Sequence, residues 1–243
     1  AIIPNNPDKT ISYLGIEAGA GVGTYYLDWI YIGTGAYLTP VIDNSGNGKH
    51  GQNTAAVPCN GISNKGIVTK AGSQYVYLPY PILGSSFNIS FWYNPGSAVS
   101  GTNLGILGGT SFGSANDQGG AAFAYYGPSN ELYFDVYSAT SRYAVRVSPA
   151  FALLSGTHHW SLQYDGSALK IYRDGIVLNS KTIGAITVSS VNSPNLYVGR
   201  TYGALYENGS GWIDELVIYS RALSDSEIRG LYLGKSLPKS YTM

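Results

Sequence analysis

The chain has 243 residues, with 14 basic and 14 acidic side chains and a net charge of zero. Only 12% of its residues are charged, against roughly 25% in an ordinary soluble domain, which argues against nucleic acid as a partner. No apolar run reaches the ~20 residues of a membrane-spanning helix, and a single cysteine, Cys59, rules out an internal disulfide framework. Cys59 reads as a small buried hydrophobe rather than a reactive thiol. Glycine (32) and tyrosine (22) replace the missing charges. A surface of hydroxyls and amides suits an extreme or variable exterior, and it equally suits a β-protein with many turns.

Residues 1–8, with two prolines and two asparagines, read as an extended arm. Thr10–Ile16 is the first predicted strand. Tyr25–Tyr31 is a second strong β segment by composition, bounded by glycine-rich breaks. Residues 22–40 together read as a tyrosine-rich hairpin or an edge extension. A turn-forming stretch, Asp43-Asn44-Ser45-Gly46-Asn47-Gly48, follows it. Strands are then predicted around Gly66–Thr69, Tyr75–Leu78, Phe87–Tyr93, Asn103–Gly108, Ala121–Tyr126, Glu131–Tyr137 and Tyr143–Val147. Further strands fall around His159–Tyr164, Leu169–Arg173, Ile176–Leu178, Asn195–Val198 and Trp212–Tyr219. Asp165-Gly166 and Asp174-Gly175 are hairpin-turn dipeptides. Many short strands with turn signals between them predict an all-β, two-sheet antiparallel sandwich. No internal repeat or linker interrupts it, so residues 9–233 read as one domain.

The end of the chain is the most explicit part. Trp212–Tyr219 alternates with a period of two, the mark of a half-buried strand. Ser224 with Glu227 three residues on forms a capping box, and Leu223 with Ile228 the matching hydrophobic staple. A short helix over 225–232 is predicted, terminated by Gly234, with 234–243 as a tail. The expected core includes Ile89, Phe91, Trp160, Leu162, Ile171, Val198, Ile213 and Val217.

Four stretches in order carry a family resemblance. They are the loop Asp43–Gly51, the strand Phe87–Trp92, the segment from His158-His159-Trp160 to Lys170–Gly175, and the close Gly211, Ile213-Asp214-Glu215, Tyr219–Ser224. Together they resemble laminin-G-like domains of the concanavalin A-like lectin/glucanase superfamily. The resemblance implies a jelly-roll sandwich with one short C-terminal helix. It also implies calcium, a hard cation suited to carboxylate and carbonyl oxygens. In the family the Asp43 loop lies near the Ile-Asp-Glu strand, so Asp43, Asn47 and Asp214 are the candidate ligands. The alternative is that Asp43 and Asn47 hold the turn through bonds to their own backbone.

Catalytic signatures are weak. The Glu-x-Asp-x-x-Glu strand of the superfamily's laminarinase-like members is missing. Glu131 and Asp135 share one face of a strand and read as a solvated surface. His158 and His159 are adjacent and point to opposite faces, one expected buried and one on the surface. No enzyme is expected.

Sugar recognition needs aromatic platforms. The candidates are Tyr25, Tyr26, Trp29 and Tyr31 of residues 22–40, Tyr125 and Tyr126, and Tyr202 and Tyr206. About half of such strand aromatics are expected in the core. Asn208 lies in a plausible glycosylation sequon, whereas Asn88 lies in a predicted strand and is a poor acceptor. The expected role is a non-catalytic extracellular module for adhesion or glycan binding. The alternative is a structural subunit of a filament, appendage or virion, assembling through its arms and tyrosine-rich hairpin into a homo-oligomer or larger particle. A glycan-active enzyme comes third. The chain starts at Ala1 and its one methionine is Met243; removal of an initiator methionine or of a secretion signal would each give this start. The expected location is extracellular or on a virion or cell surface.

Overall fold

Alternation of aromatic or aliphatic residues with polar ones along the strands produces two facing antiparallel sheets. The computed structural model describes residues 25–26, 40–41, 50–59, 61–62, 66–69, 74–79, 83–96, 103–109, 120–188, 195–201 and 211–234. With strands numbered along the chain, the first sheet runs β14 (Ile176–Thr182), β13 (Ala168–Arg173), β12 (His158–Tyr164), β7 (Phe87–Asn94), β16 (Gly211–Tyr219), β5 (Gly66–Thr69) and β4 (Val57–Cys59). A two-residue strand, β1 (Tyr25–Tyr26), pairs the C-terminal half of β16, with Tyr25 opposite Ile218. The second sheet runs β11 (Arg142–Val147), β10 (Glu131–Tyr137), β9 (Ala121–Tyr126), β8 (Leu104–Gly108), β15 (Asn195–Val198), β6 (Tyr75–Pro79), β3 (Gly51–Thr54) and β2 (Pro40–Val41). The expected arm and the strand Thr10–Ile16 lie outside the described residues.

The core fills the space between the sheets. Phe91 meets Phe123 edge-on, with ring centroids 6.0 Å apart, and Phe123 packs on Trp160 at 5.3 Å. Phe87 meets Phe134 at 84°. All of these rings are buried. Each aromatic pair contributes about 0.5–1.5 kcal/mol beyond the area it buries. Of the expected core residues, Ile89, Phe91, Trp160, Leu162, Ile171, Val198 and Ile213 are buried as predicted.

Val217 is a correction, because it points out of the sandwich and packs with the cluster of Tyr172, Tyr219, Leu223 and Ile228. The register of β16 against β7 slips between Asp214 and Val217, and Glu215 there has φ +51°. One extra residue in a strand swaps the faces of everything after it. Leu216 and Ile218 therefore join the core.

Two helices are described. The first, α1 (Phe151–Leu154), was not expected from the sequence. The second, α2 (Asp225–Tyr232), has the predicted bounds. Its Ser224 side chain accepts from the Glu227 N–H, and Glu227 accepts from the Ser224 N–H. Leu223 and Ile228 are both buried. Beneath α2 the outer face of the first sheet carries Asn88, Ser90, Ser161 and Gln163, joined by hydrogen bonds. Gln163 Oε1 also accepts from the Leu223 N–H at 2.7 Å and ties the helix entry to the sheet.

Candidate functional site

Three tyrosines stand together on the outer face of the second sheet. In β6 the order Tyr75-Val76-Tyr77-Leu78 sends the aliphatic residues into the core and the tyrosines outward. In β15, Leu196-Tyr197-Val198 does the same. Register places Tyr197 opposite Tyr77. The rings lie 5.8–6.5 Å apart, tilted and half-exposed. The Arg200 guanidinium carbon sits 4.6 Å over the Tyr75 ring and 5.4 Å from the Tyr197 ring. The Tyr77 hydroxyl donates to Gln52 Oε1 from the next strand, β3.

None of these tyrosines was among the residues expected to bind. The signal was present, since tyrosine alternating with valine or leucine on a strand points away from the core. Elsewhere on the same face, Tyr126 packs edge-on to Tyr133 at 6.4 Å, and Arg146 lies 4.7 Å over Tyr133. Tyr126 is half-exposed. Tyr125 is a correction: its ring is fully buried, because adjacent strand positions face opposite ways. Its hydroxyl donates to Asn130 Oδ1 at 3.2 Å.

Glu131 and Asp135 do share this face, but not as two solvated carboxylates. Glu131 accepts from Ser129 Oγ at 2.7 Å and from the Tyr133 hydroxyl. Those bonds hold its carboxyl below the usual range. Asp135 is fully buried, with Oδ2 paired to Arg142. Burial pushes its carboxyl up to about 6 despite that partner.

Asp214 lies at the bulge of β16 and is buried, with its Oδ1 accepting from the Glu215 N–H at 2.8 Å. Its carboxylate lies close against Gly61: a Cβ built there would meet Oδ2 at 2.3 Å. Nearby Cys59 is half-buried, and burial, followed by the charge of Asp214, pushes its thiol up. Asp43 and Asn47 lie outside the described residues, so the expected cation ligands are not seen together. Among the described residues no three His, Cys, Asp or Glu side chains cluster in a metal-binding arrangement. Trp29, Tyr31, Tyr202, Tyr206 and Asn208 also lie outside the described residues. The backbone of Tyr25 and Tyr26 pairs with β16 as a sheet strand, and residues 27–39 of the expected hairpin lie outside the described residues. Asn88 is buried and donates to Ser161 and Gln163, as befits a poor glycosylation acceptor.

The two histidines do face opposite ways, but neither is a freely solvated surface group. His158 is half-buried, with Nδ1 2.7 Å from Asp174 Oδ2 and Nε2 2.9 Å from the Ser155 carbonyl. His159 is buried against Trp92 and Tyr232. Burial lowers its pKa to about 4, so it is neutral at physiological pH.

Residues 70–229 match the family model described as the concanavalin A-like lectin/glucanases superfamily, Laminin_G_3. The chain belongs to this family. A search of curated proteins finds no match. Solved structures similar to this superfamily member include botulinum neurotoxin receptor-binding domains. A serotype D ligand-binding domain in complex with N-acetylneuraminic acid aligns with TM-score 0.65 at 14% identity, over 88% of this chain and 51% of that one. The binding domain of neurotoxin DC in complex with rat synaptotagmin II aligns with TM-score 0.61 at 17% identity, over 80% and 48%. The receptor-binding domain of a C/D mosaic serotype aligns with TM-score 0.63 at 14% identity, over 88% and 51%. The chain thus spans about half the length of these structures, and at such identities the likeness is one of fold.

Proposed function

We propose that this domain is a non-catalytic binding module that takes a glycan on the outer face of its second sheet, in an extracellular setting. The observation that carries the reading is the platform of Tyr75, Tyr77 and Tyr197. Half-exposed rings with polar tips suit the apolar faces and hydroxyl edges of a sugar. Support for a binding role also comes from the toxin domains of similar fold, which have been solved in complex with N-acetylneuraminic acid and with rat synaptotagmin II. Support for a non-catalytic role comes from the carboxylates: Glu131 and Asp135 are each held by neighbouring side chains.

A glycan array with the whole chain tests this reading. Wild-type protein is expected to retain a defined set of glycans, and the double variant Tyr77→Ala with Tyr197→Ala to lose them while its melting temperature stays close to wild type. Release of reducing sugar from any retained glycan overturns the non-catalytic part. Retention of the same glycans by the double variant overturns the location.

Calcium held by Asp43, Asn47 and Asp214 remains a separate proposal. What supports it is a buried carboxylate set at a strand bulge. Its role would be structural, fixing the loop that carries Asp43.

A further inference from the structure

We infer that the last turn of α2 is an acid-released latch: protonation of His159 drives the turn that carries Tyr232 off the first sheet. Register places His159 of β12 opposite Trp92 of β7 on the outer face of that sheet. Trp92 meets His159 edge-on, with ring centroids 5.4 Å apart. Tyr232 packs on both, at 5.8 Å from Trp92 and 6.4 Å from His159. Trp92 and Tyr232 are half-buried, whereas His159 is only 3% exposed. Its Nδ1 is buried and has no hydrogen-bond partner among the described residues. A neutral imidazole can leave that nitrogen as a bare acceptor. An imidazolium must protonate it, and then both a charge and an N–H donor are shut away from water.

The titratable and charged groups that face His159 do not supply that partner. Asp174, in the turn after β13, has its carboxylate engaged: it accepts from the His159 backbone N–H at 3.0 Å, lies 2.7 Å from His158 Nδ1 and has Arg173 Nε at 3.7 Å. From β16, Asp214 stands opposite Trp92, one strand further off. From α2 come Tyr232 and Arg229, whose backbone abuts the β13–β14 turn: a Cβ built on Gly175 would meet Arg229 Cα at 3.0 Å. Burial is the larger influence and outweighs the charge of Asp174, so the His159 pKa falls from 6.5 to about 4. Between those values the docked state binds fewer protons than a state in which water reaches the ring. The stability of docking is therefore fully present above 6.5 and is lost as pH falls toward about 4. The other anchors of α2 sit at its start: Leu223 and Ile228 are buried with Tyr172 and Tyr219, and the Tyr172 hydroxyl donates to Asp225. The first turn stays held when the last one lifts.

The test is hydrogen exchange of the whole chain between pH 7.5 and 5, corrected for the intrinsic exchange rate at each pH, with its three histidines titrated by NMR. Over that window Glu227, whose pKa is lowered from 4.5 to about 2, keeps its charge, so the cap at the other end of α2 is not what titrates. The opening constant of the Arg229–Leu233 amides is expected to rise roughly thirty-fold by pH 5, while the amides of β7 and β12 stay protected. His159→Gln, uncharged throughout, is expected to abolish the rise. Tyr232→Ala removes the cover at every pH and is expected to return the His159 pKa toward 6.5. The latch is overturned if the helix amides open independently of pH, if the strands open with them in one transition, or if His159→Gln opens as wild type does. The wild-type titration decides without any variant: a His159 that takes up its proton at or above pH 6.5 also overturns it.

Discussion

Arg142 grips one oxygen of Asp135 and leaves the other alone. Its Nε and Nη2 reach Oδ2 at 2.9 and 2.7 Å, whereas buried Oδ1 has no hydrogen-bond partner among the described residues. A desolvated carboxylate with half its acceptors unused favours the protonated form. Its pKa rises from an ordinary 3.8 to about 6. Between those values the folded state binds more protons than the unfolded chain. The stability Asp135 contributes is therefore fully present below about pH 3.8 and is lost as pH rises through about 6. Over that window the loss amounts to at most about 3 kcal/mol. Melting wild type and Asp135→Asn from pH 4 to 7.5 checks this. The variant is expected to gain on wild type as pH rises, and a constant difference would show that Asp135 stays ionised throughout.

The cap of α2 gives a second prediction, of opposite sign in pH. Glu227 accepts from Arg221 at 2.7 Å and from the Ser224 N–H at 2.8 Å, with the Arg221 bond the larger cause of a pKa lowered to about 2. Its contribution is present above the ordinary 4.5 and fades as pH falls toward about 2. Both side chains are partly exposed, so water screens much of it. Ser224→Ala is expected to cost about 1 kcal/mol, read as about 2–4 °C in melting temperature. Glu227→Gln is expected to flatten the acid limb of the melting curve below pH 4.5 relative to wild type.

These two carboxylates show what the sequence made legible. Glu227 sits in a local pattern in which partner, spacing and geometry all fall within six residues, so the helix and its cap could be read directly. Asp135 depends on Arg142 across a strand pair and on what shields it, and the strand pattern alone suggested a solvated face. The same contrast governs the strands. Regular alternation located most of them, and it would have pointed Tyr75, Tyr77 and Tyr197 outward had it been applied to them. The bulge at Glu215 broke the alternation, so Val217 was assigned to the wrong face. Local pattern carried no signal for a left-handed residue that was neither glycine nor asparagine.

Asp214 offers a direct contest between bulge and cation. Its Oδ1 accepts from the N–H of Glu215, the residue at φ +51°. If that bond is its whole role, Asp214→Asn keeps an acceptor oxygen and melts like wild type, with or without calcium, while Asp214→Ala melts lower in both. If a cation is held there, a chelator lowers the wild-type melting temperature and Asp214→Asn removes the response. Calcium titration monitored by calorimetry, with Asp43→Ala alongside, separates the two outcomes.

Gly199 links the platform to the core. It directly precedes Arg200 and has φ +87°, a region that side chains other than glycine's strain to occupy. A Cβ built there would meet Thr69 Cγ2 at 2.2 Å and Thr69 Cβ at 2.4 Å. Thr69 is buried on β5 of the opposite sheet, so the chain after β15 runs hard against the other layer. Gly199→Ala therefore combines backbone strain with overpacking, each costing about 1–3 kcal/mol. The expected result is a melting temperature at least several degrees lower. Thr69→Ser in the same chain removes the Cγ2 methyl but keeps Thr69's Cβ and hydroxyl against the new side chain, so it is expected to restore only a small part of the loss, leaving the Cβ contact and the strain. Full recovery would mean that neither the Cβ contact nor φ at this position carries a cost. No loss in Gly199→Ala alone would mean that the sheets can part here, and with them the fixed seat of Arg200 over its tyrosines.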